Sequence, residues 1–458
     1  MSKHLFPKVR VPIEPDNVAI MRVEEKCIQC GSCKSVCKFD IGIFGSYKLE
    51  ETNDIGICVN CGQCVNVCPA DALREVEDWQ KVKKIIADGD KTVLFMTSPG
   101  VRVSLGEAFD LEPGTNVEGK LAASIRKLGA NYVFDTTFGA DLTIMEEASE
   151  LVTRITTKNK PLPQFTSCCP AWVSFCEMYY PEMLPHLSSA KSPTLMQGPT
   201  IKTYFAKKAG LDPEKMVVVA VTPCTAKKFE ITRPEMNDAG KYYGKPEIRD
   251  VDYVLTIREL AKWIKDAGID FETLADGDYD KLLGRGSGAG VIFGNTGGVM
   301  EAAARTAYNL VTKENPPQEW LHLEPVRGMD GVKKATVDIN GIAVRVAVIH
   351  GLKQVRKVIE AIKDGSLEVD FVEVMTCRGG CIGGGGQPKT EIPLPDEIRE
   401  ARIASLYAED EALSVRFSHE NPEIKTVYQE FYGAPLTELA EDLLHTSYTD
   451  QSAKLGKK

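Results

Sequence analysis

C-I-Q-C-G-S-C-K-S-V-C (27–37) and C-V-N-C-G-Q-C-V-N-V-C-P (58–69) hold eight of the chain's fourteen cysteines. Cys27, Cys30, Cys33 and Cys37 are spaced C-x2-C-x2-C-x3-C, and Cys58, Cys61, Cys64 and Cys68 repeat that spacing before Pro69. Such runs hold paired [4Fe–4S] cubes, each taking three thiolates from one run and the last cysteine of the other. Zinc is the rival, but zinc motifs pair two C-x2-C units rather than repeating C-x2-C-x2-C. The spacing predicts a two-cluster module over 21–80, preceded by a lead-in over 1–20.

Five of the other six cysteines sit in three later loops: T-S-C-C-P-A-W (166–172), T-P-C-T-A-K-K-F-E (222–230) and E-V-M-T-C-R-G-G-C-I-G-G-G-G-Q-P (373–388). Neighbouring Cys168 and Cys169 cannot easily ligate one metal atom together, and a vicinal disulfide is strained. One therefore ligates, while the other has a separate task such as moving a proton, for which a tunable thiol suits. Cys224, Cys377 and Cys381 complete a count of four with Cys169, which fits a third cube. The glycines at 379–386 read as backbone that must approach a bulky group closely. A phosphate loop is the rival reading, but no G-K-[ST] follows, and the G-x-G-x-G at 286–290 is too weak a nucleotide fingerprint. None of the six histidines falls in these loops, which argues against a histidine-ligated metal. Cys176 reads as a packed apolar residue.

From Thr92 strands and helices alternate. Strands are expected at Thr92–Met96, Tyr132–Asp135, Met216–Val221, Val251–Leu255, Gly290–Phe293 and Phe371–Met375. Helices are expected at Asp78–Asp90, Gly119–Leu128, Ala140–Thr156 and Gly298–Val311. Asn340–Gly341 marks a type I′ hairpin over Thr336–Ile349. The fold class is α+β and α/β, with a small cluster module before a large domain of mainly parallel sheets over 81–395. A helical C-terminal wrap over 396–458 is expected to end near His445, followed by a frayed polar tail.

With 43% hydrophobic and 26% charged residues, composition is that of an ordinary globular protein. A formal charge of −10 argues against nucleic-acid binding. Residues 1–84 are neutral, with twelve Lys/Arg and twelve Asp/Glu, so the rest carries the whole deficit. The neutral segment reads either as a docking surface for an acidic electron carrier or as plain solvated surface. No secretory leader or apolar span is evident, and clustered cysteines suit a reducing cytoplasm. Glu147, Glu150 and Arg154, at i, i+3 and i+7, share one face of a helix; by itself that spacing reads as a solvated face with an ordinary ion pair.

The three cysteine loops, in this order, resemble the signature motifs of the [FeFe]-hydrogenases. The likeness runs from the ferredoxin-like module to S-H-E-N (418–421) and L-L-H-T (443–446). It implies an H-cluster: a [4Fe–4S] cube on Cys169, Cys224, Cys377 and Cys381, with Cys381 bridging to a two-iron unit that carries CO, cyanide and a dithiolate. The same resemblance gives Lys227 to one cyanide and Ser98–Pro99 to the other, with Met375 and Phe293 as an apolar wall. It also implies a proton route through Cys168, water, Glu147, Ser188 and Glu150, with Arg154 at the exit. Thr222 before Pro223, where methionine is usual, marks a less familiar branch, as do Ser98-Pro99-Gly100, Ala171 and Arg378.

The activity implied is 2H⁺ + 2e⁻ ⇌ H2. Electrons would pass between the two N-terminal clusters and a ferredoxin or flavodoxin, and dedicated maturation enzymes would build the two-iron unit. Membranes and nucleic acid are not expected partners. Related iron–sulfur assembly factors are the alternative class, although Cys168, Lys227 and the complete G-G-C-I-G-G-G-G-Q-P loop would have no purpose there. A hydrogen sensor or a subunit with NAD-linked partners are further alternatives.

Overall fold

The computed structural model describes residues 9–456, so residues 1–8 of the lead-in lie outside the described residues. Among the described residues ten strands form three sheets. A two-stranded antiparallel ribbon, β1 (Ile20–Arg22) and β2 (Leu73–Glu75), ties the ends of the cysteine-run module together.

The first large sheet contains β3 (Thr92–Thr97), β4 (Tyr132–Asp135), β6 (Met216–Thr222) and β7 (Tyr253–Thr256), in the order β4-β3-β6-β7 and wholly parallel. Its central strand M-V-V-V-A-V-T is buried at every position, as expected for a strand covered on both faces. Alternate residues of β3 feed two cores: Leu94 and Met96 pack with Phe134, Phe138 and Leu142, while Val93 and Phe95 pack with Leu121, Leu260 and Trp263. Each such side chain, fully buried, stabilises the fold by about 1.5–3 kcal/mol.

The second large sheet has the order β5-β10-β9-β8, with β5 (Gln164–Phe165), β8 (Val332–Ile339), β9 (Ile342–His350) and β10 (Phe371–Met375). Only β8 runs antiparallel, closing a hairpin on β9. Asn340 and Gly341 have φ of 54° and 84° at its tip, as the type I′ reading requires.

Several expectations need correction. Gly290–Phe293 is helical: Ser287 caps the turn Gly288–Val291, and a tighter turn follows to Gly294. Periodicity cannot separate strand from buried helix in so short an apolar run. The strand expected from Val251 begins at Tyr253, and the helix expected from Ala140 begins at Thr136, where the Asp135 side chain accepts from Thr137 N–H. The tail does not fray after His445. Thr446 N–H donates to Ser189 O, Gln451 N–H donates to Glu177 O, and Leu455 is buried. The cysteine-run module keeps a small core of its own around Ala19, Ile20, Val65 and Leu73, while its Ile41, Ile43, Ile57 and Val59 pack with Trp172, Phe175 and Ile349 of the large domain.

Candidate metal centre and proton path

Parallel strands that end together leave their following loops around one crevice, the usual place for a ligand in an open α/β sheet. Here the loops after β3, β5, β6 and β10 carry Ser98–Pro99, Cys168–Cys169, Pro223–Cys224 and Cys377–Cys381. These residues line a single cavity together with Thr222, Lys227, Phe293 and Met375. Every cube ligand and every contact expected from the resemblance is therefore on that wall.

The donor set fits an iron–sulfur group. Burial and neighbouring thiols push Cys224 up to about 11 and raise Cys377 and Cys381 as well, so without a metal these thiols hold their protons. Two groups already face the sulfurs: Gln63 Nε2 lies 3.2 Å from Cys377 Sγ, and Thr376 Oγ1 lies 3.3 Å from Cys169 Sγ. Hydrogen bonds to cluster sulfurs are among the levers that set potential. Among the described residues no three His, Cys, Asp or Glu side chains are grouped as a single-ion site.

Within the 379–386 loop, Gly380 and Gly384 line the cavity, and three of its glycines also meet other backbone. An added Cβ at Gly383, Gly384 or Gly385 would come within 2.2 Å of Arg378 O, Pro223 O and Cys61 O respectively. These glycines let strand-end loops and the cysteine-run module touch backbone to backbone. Arg258 locks the same contact. It donates to Glu75 of β2, to Asn66 Oδ1 at 3.1 Å, and to Gly385 O and Gln387 O at 2.6 and 2.5 Å. Burial would raise Glu75, but Arg258 outweighs it and holds the carboxyl at about 2. Thr222 does not present a free hydroxyl to the cavity, since it donates to Cys224 O at 3.0 Å and accepts from Cys224 N–H at 3.3 Å. A histidine does touch the third loop: His350 accepts from Gly379 N–H at 2.7 Å. Burial, then the charges of Lys333 and Arg378, lowers it to about 4.

The N-terminal runs build two more cavities. One is lined by Cys27, Cys30, Cys33 and Cys68, the other by Cys37, Cys58, Cys61 and Cys64. That is the three-plus-one exchange read from the spacing. Cys30 is exposed, whereas Cys64 is buried and Cys61 abuts the glycine loop, so the three cavities run from surface to interior.

Behind Cys168 lies the helix Thr136–Thr157, and its expected solvated face is buried. Glu147, Glu150 and Arg154 are 0%, 4% and 0% exposed. Neither oxygen of Glu147 has a hydrogen-bond partner. Burial and then the charge of Glu150 push its carboxyl up to about 8, tempered by nearby Ser188. Glu150 is the opposite case: burial would raise it, but Arg154 and Lys160 hold it at about 2. Ser188 Oγ donates to Glu150 Oε2 at 2.8 Å. Arg154 is no exit. Its guanidinium donates to Glu150 and to the carbonyls of Pro161, Pro185, His186 and Leu187, wholly out of solvent. Lys227, buried, ion-pairs with Glu230 at 2.7 Å and reaches Cys168 O at 3.4 Å.

Such a scaffold suits a redox enzyme with buried iron–sulfur groups, and a row of buried carboxyls lies behind the innermost cavity. Residues 91–385 match the family described as iron only hydrogenase large subunit, C-terminal domain; 396–451 match iron hydrogenase small subunit, and 54–74 a 4Fe-4S binding domain. Iron hydrogenase 1 of Clostridium pasteurianum is 43% identical over 98% of this chain and 79% of its own length. The periplasmic [Fe] hydrogenase large subunit of Nitratidesulfovibrio vulgaris is 46% identical over 86% of this chain and 92% of its own. An apo [FeFe]-hydrogenase structure from Chlamydomonas reinhardtii superposes with a TM-score of 0.72 at 40% identity, covering 82% of this chain and 99% of that one. Cytosolic iron-sulfur assembly component 3 of Bos taurus is more distant, at 30% identity over 80% of this chain. The chain belongs to the iron-only, or [FeFe], hydrogenases.

Proposed function

We propose that this hydrogenase interconverts protons and H2 at an H-cluster in the cavity, with Cys169, Cys224, Cys377 and Cys381 as ligands of its cube. Cys381 would also hold the two-iron unit. Lys227, Ser98 and Pro99 would meet its cyanide ligands, while Pro223, Phe293 and Met375 would keep water out. When bound, the group supplies the electrons and the open metal position at which protons and H2 interconvert. The two N-terminal cavities hold cubes on Cys27, Cys30, Cys33 and Cys68, and on Cys37, Cys58, Cys61 and Cys64. They relay electrons from or to a ferredoxin or flavodoxin docked near exposed Cys30. Maturation enzymes supply the two-iron unit, because no amino acid provides CO or cyanide. Among the described residues no helix is long and apolar enough to cross a membrane, and the cysteine usage favours a reducing cytoplasm as the compartment.

The observation that carries this reading is the meeting of all four thiols and Cys168 on one wall, with carboxyls of opposed pKa behind. Cys168 moves the proton at the cavity. Glu147, protonated at neutral pH, resupplies it through water, and Ser188 connects Glu147 to the Glu150 carboxylate. Iron analysis and infrared spectra test the assignment. Matured protein should carry about fourteen irons, from three cubes and a two-iron unit, with CO and cyanide bands. About twelve irons and no such bands after full maturation would favour an assembly factor instead.

A further inference from the structure

With Arg154 sealed inside, the proton needs another way out of Glu150. The geometry points to His445, at the end of the C-terminal helix Glu438–Leu444, as the group that passes protons between Glu150 and solvent. This inference rests on the proton route proposed above.

Five observations converge. Glu150 Oε1 lies 3.3 Å from Ser189 Oγ, and Ser189 Oγ lies 3.0 Å from His445 Nδ1. The other ring nitrogen, Nε2, lies 3.1 Å from the buried Glu146 carboxylate, which balances an imidazolium. Glu146 is itself fixed by Tyr428 Oη at 2.5 Å and Leu436 N–H at 2.9 Å, so the ring is held in place. Ser189, His445 and Lys160 line an open cleft of about 740 Å³, ample for water. The backbone enforces this alignment: Ala190 bridges His445, and Thr446 N–H donates to Ser189 O at 2.8 Å.

The transfer balances with O–H and N–H bonds alone. Outward, the Glu150 carboxyl gives its proton to Ser189 Oγ while that hydroxyl's own proton moves to Nδ1 of neutral His445. The imidazolium then releases a proton to water in the cleft. Inward flow reverses each step, and no electrons move. An imidazole suits this position because its two ring nitrogens can each hold or accept a proton. Lys160 reaches Glu150 from the same side at 2.8 Å, but its charge holds the carboxylate as an anion rather than exchanging a proton with it.

A histidine that merely stapled the tail would need only its two hydrogen bonds, and glutamine can supply those. His445→Gln in the matured holoenzyme should therefore keep its infrared bands and melting temperature while turnover falls about tenfold or more. His445→Ala should lose turnover likewise and regain it saturably with added imidazole, which should leave the unsubstituted enzyme unaffected. Full turnover in His445→Gln beside an impaired Cys168→Ser would overturn this exit and leave the inner route standing. Full turnover in both variants would mean that the inner route itself is wrong. Loss of turnover that imidazole does not restore, with a lowered melting temperature, would reduce His445 to a staple and also overturn the proposal.

Discussion

The cavity has two sides built on different principles. On the electron side, glycine backbones touch and neutral thiols line the walls, with Arg258 clamping the cysteine-run module onto Gly385 and Gln387. On the proton side carboxyls, hydroxyls and a thiol stand in a buried row beside apolar Ala140, Ile144 and Ala148, with two carboxyls pushed in opposite directions. Electrons need only close packing between clusters, whereas protons need a group at every step that can hold and release one. The two sides should therefore fail in different ways.

The proton side should give the largest effect. Glu147→Gln removes the proposed proton carrier, and turnover should fall about 10²-fold or more with either electron donor. Its pH signature has a definite sign. Because Glu147 is raised to about 8, it keeps its proton at neutrality and loses it as pH rises through that value, so H2 evolution in the unsubstituted protein should decline on that limb. The same shift costs stability between the ordinary glutamate range and about pH 8, where the unfolded chain ionises and the folded one does not. Melting temperature measured against pH should show less alkaline destabilisation in Glu147→Gln; identical slopes would remove the basis for the shift.

The electron side breaks through Arg258. Its removal leaves Glu75 buried without its cation, at a cost of about 3–5 kcal/mol. Arg258→Ala should melt earlier and lose ferredoxin-driven turnover more than dye-driven turnover. Equal losses with both donors would mean that the clamp does not serve electron entry.

How far these sides are legible in the sequence differs in the same way. The N-terminal ligands are local, and the C-x2-C-x2-C-x3-C spacing alone is enough to assign the cysteines to both cavities. Glu147 is not legible by spacing, because i, i+3, i+7 describes a buried face as well as a wet one; only the resemblance singles it out. Gln63, Thr376 and Arg258 act across more than a hundred residues of chain, so no local pattern reports them. The glycine loop reads as a place of close approach, and backbone partners such as Pro223 O and Cys61 O come from chain too distant for the sequence to name. Gly290–Phe293 misleads because four apolar residues are too few to show a period.

Two smaller effects sharpen the contrast. If the neutral module docks an acidic carrier, ferredoxin turnover should weaken as salt shortens electrostatic reach to ~8 Å at physiological ionic strength, with dye turnover responding less. Equal salt dependence would leave the docking surface unsupported. Thr222→Met should be the mildest change. It deletes two hydrogen bonds to the Cys224 backbone, each worth about 1 kcal/mol, and should shift H-cluster potentials while activity persists. Unchanged infrared spectra through a redox titration would show that the position does not tune the site.

The most direct test of the account is catalytic current together with infrared spectra on matured Cys168→Ser. Cys169 is the assigned ligand and Cys168 the assigned proton carrier, so the CO and cyanide bands should stay while the current falls by about 10²-fold or more. Near-normal current with intact bands would contradict the proton side, and loss of the bands would show that the adjacent cysteines have the opposite roles.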